Sequence, residues 1–413
     1  MKARAIGIAS AVLLAAAAFF TVATLFTPSA TRCDFSYRMA EADCLRRGVD
    51  PFLVWNESVV LKPYYSNNPA RKSVPEGCNR QISVYTPWGY SLALPMSFLS
   101  LDAAWWFFSV MSFAMLGLVV AAGVRSLGWL AAVPMLVVAY PIWSNFQVGN
   151  YIALMLAAAV CMAACLYRGW NVAAGVCWML LMIKPQVGLT FAVPLAVRMR
   201  IKSGAVAVVA CLALSVPAVL LCRPELPKFF YEAAEASAFA FQGCGTWPMF
   251  LCGTFGCRAD IGIGLVIGLL LCVWMTWLLR REKDWLVYLM PAAICSSCWT
   301  YTQAYSHAMG WFVAYVIVRK LIENPRSKFL WALFLISLPV LSRAFLAWHG
   351  FAAFFGADFP MSEYTFRCLD SLNSTASLAI AAVLCVCLSG HPVAFCIWRR
   401  RRQDCDIIRP AEA

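Results

Sequence analysis

An acidic residue stands directly after the first apolar run of the chain, in the segment Cys33-Asp34-Phe35-Ser36-Tyr37. A carboxylate held at a membrane surface can accept a proton from a hydroxyl, so Asp34 is a candidate general base. The same position also suits an N-cap for a helix over residues 35–47. That helix would place Phe35, Met39 and Leu45 on one side and end at Arg46-Arg47-Gly48. The base and the cap are alternative interpretations of one residue.

Further candidate side chains occur where apolar segments end. Gln147 and Asn150 belong to a polar turn, Asn145-Phe-Gln147-Val-Gly149-Asn150. Lys184 is a cation that would neutralise a phosphate, and His307 would be a second proton carrier. Each has a plainer interpretation: a polar turn, a snorkelling lysine or a structural histidine. Three arginines at apolar edges are further candidate phosphate ligands: Arg223, Arg258 and Arg343.

Composition places these residues in a membrane protein. Hydrophobic residues make up 62% of the 413 residues and charged residues only 13%, about half the charged fraction of a soluble domain. No Walker loop, GxGxxG turn, HExxH motif or spaced Cys/His set occurs. The sequence therefore predicts no metal ligands, although a divalent metal ion is compatible with the chemistry described below.

Twelve charge-free segments predict an all-α, polytopic transmembrane helical bundle. They cover residues 6–27, 103–123, 127–145, 151–167, 170–183, 186–197, 204–222, 261–279, 285–301, 307–318, 329–342 and 375–397. The first is long enough for a span, so we favour an uncleaved anchor over a cleaved signal peptide. Residues 1–398 are predicted to form one transmembrane catalytic domain, with a large first outer loop over 28–102 and a basic cytoplasmic tail over 399–413.

Charge predicts the orientation. With both termini in the cytoplasm, the inner connections hold 19 basic and 6 acidic residues, and this excess equals the net charge of +13. The positive-inside rule therefore explains the charge, and nucleic acid is not expected as a partner.

The segments over 170–183 and 186–197 are too short to cross a bilayer singly. We expect a short hairpin with Lys184-Pro185-Gln186 at its tip, so the count is better given as about 10–12 membrane segments. Residues 85–101 are expected to lie along the membrane interface.

Five segments occur in a recognisable order: Ala40-Glu-Ala-Asp-Cys-Leu-Arg-Arg-Gly48-Val-Asp50-Pro51-Phe52, Tyr85-Thr-Pro87 to Pro95, Gln147-Val-Gly149-Asn150, Ile183-Lys184-Pro185 to Pro194, and Trp299 to His307. Over roughly residues 30–320 they resemble glycosyltransferase family 87, which consists of membrane enzymes of the GT-C class that use polyprenyl-phosphate sugars. The chain lacks one proline of the family's segment at Tyr85, and its glycine near Gln147 is displaced. In the stretch from Trp299 to His307 it also lacks the proline and one histidine of the family pattern.

The resemblance implies a GT-C-like fold, with Asp34 as catalytic base and His307 as second catalytic group. The implied activity is hexosyl transfer, mannosyl transfer for example, from a polyprenyl-phosphate sugar to a glycan or glycolipid acceptor outside a bacterial inner membrane. We expect inversion at the anomeric carbon, because one base and a direct displacement suffice. The position of the candidate residues is consistent with this activity, because a transferase that faces outward needs a donor delivered by lipid. The phosphate of such a donor would be neutralised by a cation such as Lys184.

Two other classes of function remain open at this point. The broken helices and the lysine at membrane depth also suit a transporter or a lipid or glycolipid flippase. The other class is a membrane assembly subunit without enzymatic activity, which would show neither sugar transfer nor transport.

Overall fold

The computed structural model describes residues 33–48, 86–222, 261–298, 304–343 and 363–389. These residues form helices, and no strand occurs among them. The predicted first span, most of the first outer loop, Arg223, Arg258 and the basic tail lie outside the described residues.

The described residues of the first half of the bundle form nine α-helices and two short 3-10 helices. In chain order the α-helices are α1 (Cys33–Arg46), α2 (Pro87–Ala93), α3 (Leu101–Leu127), α4 (Ala132–Val137), α5 (Ala139–Val148), α6 (Ile152–Tyr167), α7 (Asn171–Leu181), α8 (Pro185–Val197) and α9 (Ile201–Cys222). The 3-10 helices cover Leu94–Phe98 and Gly128–Ala131.

The second half has six described α-helices and one 3-10 helix. The α-helices are α10 (Ile261–Leu278), α11 (Trp285–Tyr288), α12 (Met290–Cys298), α13 (Trp311–Glu323), α14 (Lys328–Leu341) and α15 (Glu363–Leu388), and the 3-10 helix covers Ala304–Gly310.

The described part of the chain is an all-α membrane protein, as predicted. Its three helices that are long and apolar enough to cross a membrane cover Leu101–Val137, Ile201–Leu221 and Ser371–Leu388, and six shorter apolar helices accompany them. Helix α9 leaves Val209, Leu212 and Leu220 between 64% and 70% exposed. Apolar faces of this size are stable only against lipid or another apolar partner.

Helices α6, α12 and α13 form the centre of the bundle. From Trp311 to Val318 every side chain of α13 is buried, and α6 is rich in alanine, with Ala153, Ala157 and Ala159 almost completely buried. Small residues allow neighbouring helices to approach closely where no hydrophobic effect drives their association.

Proline interrupts two segments that the sequence analysis predicted as continuous. Pro141 has no N–H to donate to the carbonyl of Val137, and the predicted segment 127–145 divides into a 3-10 turn, α4 and α5. Pro291 likewise cannot donate to Val287, and α11 ends before α12 begins. The predicted segment 307–318 starts later, at Trp311, after the 3-10 helix Ala304–Gly310.

The predicted break near Lys184 is confirmed. Helix α7 ends at Leu181, and α8 begins at Pro185 in the first helical position, which favours proline. Residues 86–98 form α2 and the 3-10 helix Leu94–Phe98, and both pack against α1.

Helix α6, which runs from the turn of Asn150 to Arg168, and helix α13, which runs from the turn of His307 past Arg319, separate two ends of the bundle. We call the end with Asn150, Lys184 and His307 the site end. The connections at the opposite end contain most of the described basic residues, and we call this the basic end. There Arg198 donates to the carbonyl oxygens of Arg280, at 3.4 Å, and Glu282.

Candidate active site

Helix α1 contains Asp34 in its first turn, so the prediction that Asp34 caps a helix starting at residue 35 is wrong. The carboxylate instead has a distant partner. The Nδ2 of Asn150 donates a hydrogen bond of 2.6 Å to the Oδ2 of Asp34. Asp34 is 7% exposed and Asn150 1% exposed, and hydrogen bonds to a buried charged group are stronger than neutral ones.

The turn between α5 and α6 presents Asn150 to α1 because of a glycine. Gly149 has a φ of +75°, a left-handed conformation that glycine adopts without steric cost. A Cβ at this position would lie 2.4 Å from the Cβ of Phe35 and 2.8 Å from the ring of Trp105. The close contact between Gly149 and Phe35 therefore brings the turn up to the residue that follows Asp34.

Aromatic rings hold this contact in place. The ring of Phe35 lies edge-on to that of Trp105, with 5.2 Å between centroids, and 5.3 Å from that of Phe108. Phe108 in turn contacts Tyr151 at 6.2 Å. Such pairs stabilise a defined arrangement beyond the area they bury, so the start of α1 is anchored on α3 and α6.

Helix α1 buries charge as well as apolar surface. Phe35, Met39 and Leu45 are buried, as predicted. Arg38 and Glu41, four and seven residues after Asp34, are also buried and form an ion pair of 2.5 Å. Neither residue was predicted as part of the site, although the spacing of 34, 38 and 41 places all three on one helical face.

Tyr151, directly after Asn150, responds to the charges of α1. Burial raises the pKa of the Tyr151 phenol, the charge of Arg38 lowers this pKa, and the charges of Glu41 and Asp34 raise it. The phenol is therefore neutral at physiological pH.

Asn145 is a further polar residue that the sequence analysis did not select. It is completely buried, and its Oδ1 accepts a hydrogen bond of 3.2 Å from the backbone N–H of Ile152. Its Nδ2 has no partner among the described residues. An unpaired buried amide is costly, and the spacing of Asn145 and Asn150 around one turn was the available signal. Gln147, near the end of α5, is half-buried, and its side chain forms no hydrogen bond within the described residues.

His307 and Arg343 form a second pair at the site end. The Nη2 of Arg343 donates to the Nε2 of His307 and, at 2.9 Å, to the Oγ of Ser374. A guanidinium has no acceptor atom, so the Nε2 of His307 must be unprotonated. Burial and then the charge of Arg343 lower the pKa of His307, which lies in the 3-10 turn ahead of α13. The imidazole is neutral with its proton on Nδ1.

The backbone at Arg343 is unusual. Its φ is +54°, a left-handed value that is uncommon outside glycine and costs conformational energy. The residue follows the last turn of α14, where its N–H donates to the carbonyl of Val340 at 3.4 Å. This geometry directs the guanidinium to His307 and Ser374, and it is completely buried there.

Lys184 lies at the start of α8 and is 3% exposed. Its carbonyl accepts the N–H groups of Val187 and Gly188, and its φ of −108° and ψ of 102° are extended. The Oγ1 of Thr86 donates weakly, at 3.5 Å, to the carbonyl of Ile183. This contact ties the lysine turn to α2, which packs on α1.

The predicted residues thus fall into three places at one end of the bundle: the pair of Asp34 and Asn150, the pair of His307 and Arg343, and the turn of Lys184. Helix α5 connects the first two, because it packs against α1 and against the 3-10 helix that contains His307. No group of three or more His, Cys, Asp or Glu side chains in the described residues is arranged to hold a metal ion.

A protein-family model described as glycosyltransferase family 87 matches residues 84–298, more than half of the chain. The matched range includes Gln147, Asn150 and Lys184, whereas Asp34 and His307 lie outside it. The chain matches no curated protein and no solved structure at a significant level.

Proposed function

The chain belongs to glycosyltransferase family 87, and from this membership we propose that it transfers a hexose, for example mannose, from polyprenyl phosphate to an acceptor hydroxyl. The acceptor would be a glycan or glycolipid on the non-cytoplasmic side of a cell membrane. As a membrane glycosyltransferase it has a donor, an acceptor and surrounding lipid as partners. The identities of these partners, and the side of the membrane, are part of the proposal.

The observation that carries the proposal is the buried pair of Asp34 and Asn150. A general base must be held in a defined position and must stay free to accept a proton. Asn150 donates to Oδ2, so the hydrogen bond orients the carboxylate and would let its other oxygen face an acceptor hydroxyl. Asp34 would be the catalytic base, and Asn150 a positioning residue for it.

In the proposed reaction the acceptor oxygen attacks the anomeric carbon of the donor sugar while the bond from that carbon to the phosphate oxygen breaks. Asp34 takes the hydroxyl proton, and polyprenyl phosphate leaves with the electron pair of the broken bond. A single displacement inverts the configuration at the anomeric carbon. Lys184 would neutralise the charge that develops on the phosphate, an effect that is strong where water is excluded.

His307 suits a second role in proton transfer or in binding the sugar. Its neutral imidazole carries one proton on Nδ1, because Nε2 accepts from Arg343. Arg343 would act through His307 in this arrangement. Its predicted role as a phosphate ligand stays a prediction, as do the roles of Gln147, Arg223 and Arg258.

The distribution of charge supports an outward-facing site. The described connections at the basic end contain Arg125, Arg168, Arg280 and Lys283, among others, and the candidate residues lie at the other end. Under the positive-inside rule the basic end faces the cytoplasm. The proposed location is therefore a bacterial inner membrane with both termini in the cytoplasm.

The test uses membranes that contain the full chain or a variant, supplied with radiolabelled polyprenyl-phosphate sugar. Asp34→Asn should reduce transfer at least a hundredfold, in keeping with the contribution of general base catalysis of about 10²–10⁴. Asp102→Asn is the matched control, because Asp102 is an exposed carboxylate at the start of α3. Full activity of Asp34→Asn would overturn the assignment of the base.

A second measurement separates the transferase from a flippase or transporter. Vesicles with the wild-type chain are assayed for lipid or solute counterflow and for a glycosylated product. A labelled product supports the transferase. Counterflow without any product would contradict it and favour transport.

A further inference from the structure

A cavity of about 500 Å³ opens at the basic end, remote from the candidate active site. Helices α3, α6, α11 and α13 surround it, and four basic side chains converge on it: Arg125, Arg168, Lys283 and Arg319. The single acidic side chain in its lining is Asp284. The cavity therefore has an excess of positive charge.

Within the described part of the chain, one of the four cations is neutralised by an acidic partner. Arg319 forms an ion pair with Asp284 and donates to the hydroxyl of Tyr315 at 3.5 Å. Arg125 and Lys283 form no hydrogen bond or ion pair within the described residues, and both are exposed. Three uncompensated cations around one cavity attract an anion more strongly than the same charges dispersed over a surface.

Among the described residues, the guanidinium of Arg168 has an aromatic contact: it lies 4.9 Å from the centroid of the Trp170 ring. This contact leaves the guanidinium N–H groups available to an anion. Tyr167 extends beside it and is 76% exposed, as is usual for aromatic residues at a membrane interface. The rim of the cavity thus combines a cation with exposed aromatic rings, as protein surfaces at the lipid headgroups do.

One wall of the cavity is apolar. Helix α6 lines it with Val160, Ala163 and Ala164, and helix α3 with Ala122. The small alanine side chains leave the space open. Beyond the cavity, Leu118 lies on the same face of α3 as Ala122 and Arg125 and is 46% exposed, so an apolar path leads away from the cations along the outside of the bundle.

We propose that this cavity binds the phosphodiester headgroup of an anionic phospholipid, with its acyl chains along the faces of α3 and α6. The cations recognise the phosphate, and the apolar wall selects a lipid over a soluble phosphate. Basic pockets between transmembrane helices at the cytoplasmic face suit such headgroups. The site is separate from the proposed transferase chemistry and does not depend on it.

The test titrates the purified, delipidated full chain in detergent with phosphatidylglycerol, and in parallel with phosphatidylethanolamine and with glycerol phosphate. Native mass spectrometry counts bound lipid. Wild type should bind phosphatidylglycerol at least tenfold more tightly than either alternative. The double variant Arg125→Gln/Lys283→Gln should lose about 25-fold in affinity, from about fivefold for each cation near a charged headgroup.

The matched control is Lys202→Gln/Arg281→Gln, which removes the same charge from exposed residues of the basic end that do not line the cavity. It should bind phosphatidylglycerol like wild type. A second variant, Ala164→Phe, fills the apolar wall at an exposed position without changing the charge, and should also weaken binding. It tests the site even if the double variant fails to fold.

Equal affinity of wild type, the double variant and Ala164→Phe for phosphatidylglycerol would overturn the proposal. So would an equal loss in the control pair, which would indicate only general attraction to a basic surface. Binding of glycerol phosphate as tight as that of the whole lipid would show an anion site without lipid selection, and would also overturn it.

Discussion

The side-chain amide of Asn150 donates a 2.6 Å hydrogen bond to the carboxylate of Asp34 across 116 residues of sequence. Both groups are buried, and the contact joins the first described helix to the turn between α5 and α6. It joins two residues that the sequence analysis selected for separate reasons.

Replacement of Asn150 with alanine should lower kcat about tenfold or more and change the KM for the acceptor less. The reason is that a hydrogen bond to a charged group contributes about 1.5–3 kcal/mol, and its loss frees the carboxylate to rotate. The measurement is steady-state transfer of labelled sugar in membranes. Asn324→Ala, at the end of α13 far from the site, is the control. An unchanged kcat in Asn150→Ala would contradict a positioning role.

Replacement of Gly149 with alanine should destabilise the protein by about 1–3 kcal/mol, because the new methyl group overlaps Phe35 and the backbone is left-handed. The thermal unfolding midpoint of the purified protein reports the loss. Gly117→Ala is the matched control, since nothing lies within 4 Å of a Cβ there. In a helix interior that change should be neutral or stabilising. Equal midpoints for the two variants would argue against the close contact.

The protein should lose stability as the pH falls below about 6.5, the ordinary pKa of histidine. The buried, Arg343-facing environment lowers the pKa of His307, so the unfolded chain binds a proton in a range where the folded chain does not. This linkage removes up to about 1.4 kcal/mol per pH unit. Above about pH 6.5 neither the folded nor the unfolded chain protonates His307, so this residue causes no loss of stability there.

Thermal midpoints between pH 8 and pH 5 measure this effect. The midpoint of His307→Gln, whose amide does not titrate, should fall less steeply than that of wild type below pH 6.5. Identical pH profiles would show that His307 is not the group responsible.

Replacement of Lys184 with glutamine should lower kcat about a hundredfold or more, because a buried cation near a leaving phosphate stabilises charge that forms only in the transition state. Single-turnover transfer from the lipid-linked donor measures the chemical step. Lys202→Gln removes an exposed lysine at the other end of the bundle and should leave the rate unchanged. A rise in donor KM with kcat unchanged would show instead that Lys184 only binds the donor.

Local chemistry made several features of the sequence predictable. Hydropathy alone identifies most of the helices, since a chain in lipid must satisfy its backbone groups within helices. The break at Lys184 was predictable because Pro185 begins a new helix. The buried apolar side of α1 followed from the spacing of Phe35, Met39 and Leu45.

Other features depend on contacts between segments that are distant in the chain. Asp34 has the buried partner Asn150, which no local pattern connects to it. Likewise, no local pattern connects His307 to its partner Arg343, and the sequence does not predict the left-handed backbone of Arg343. The cavity at the basic end could not be foreseen either, because hydropathy and charge counts place residues at an end of a span but do not say which helices are neighbours.

The sequence by itself determined the helical membrane class, the approximate helix limits and the gathering of polar candidates at span ends, because these follow from transfer energies that act residue by residue. Only the tertiary structure decided which candidates meet. Hydrogen bonds and close packing require atoms within a few ångströms, and that proximity is a property of how the helices are arranged.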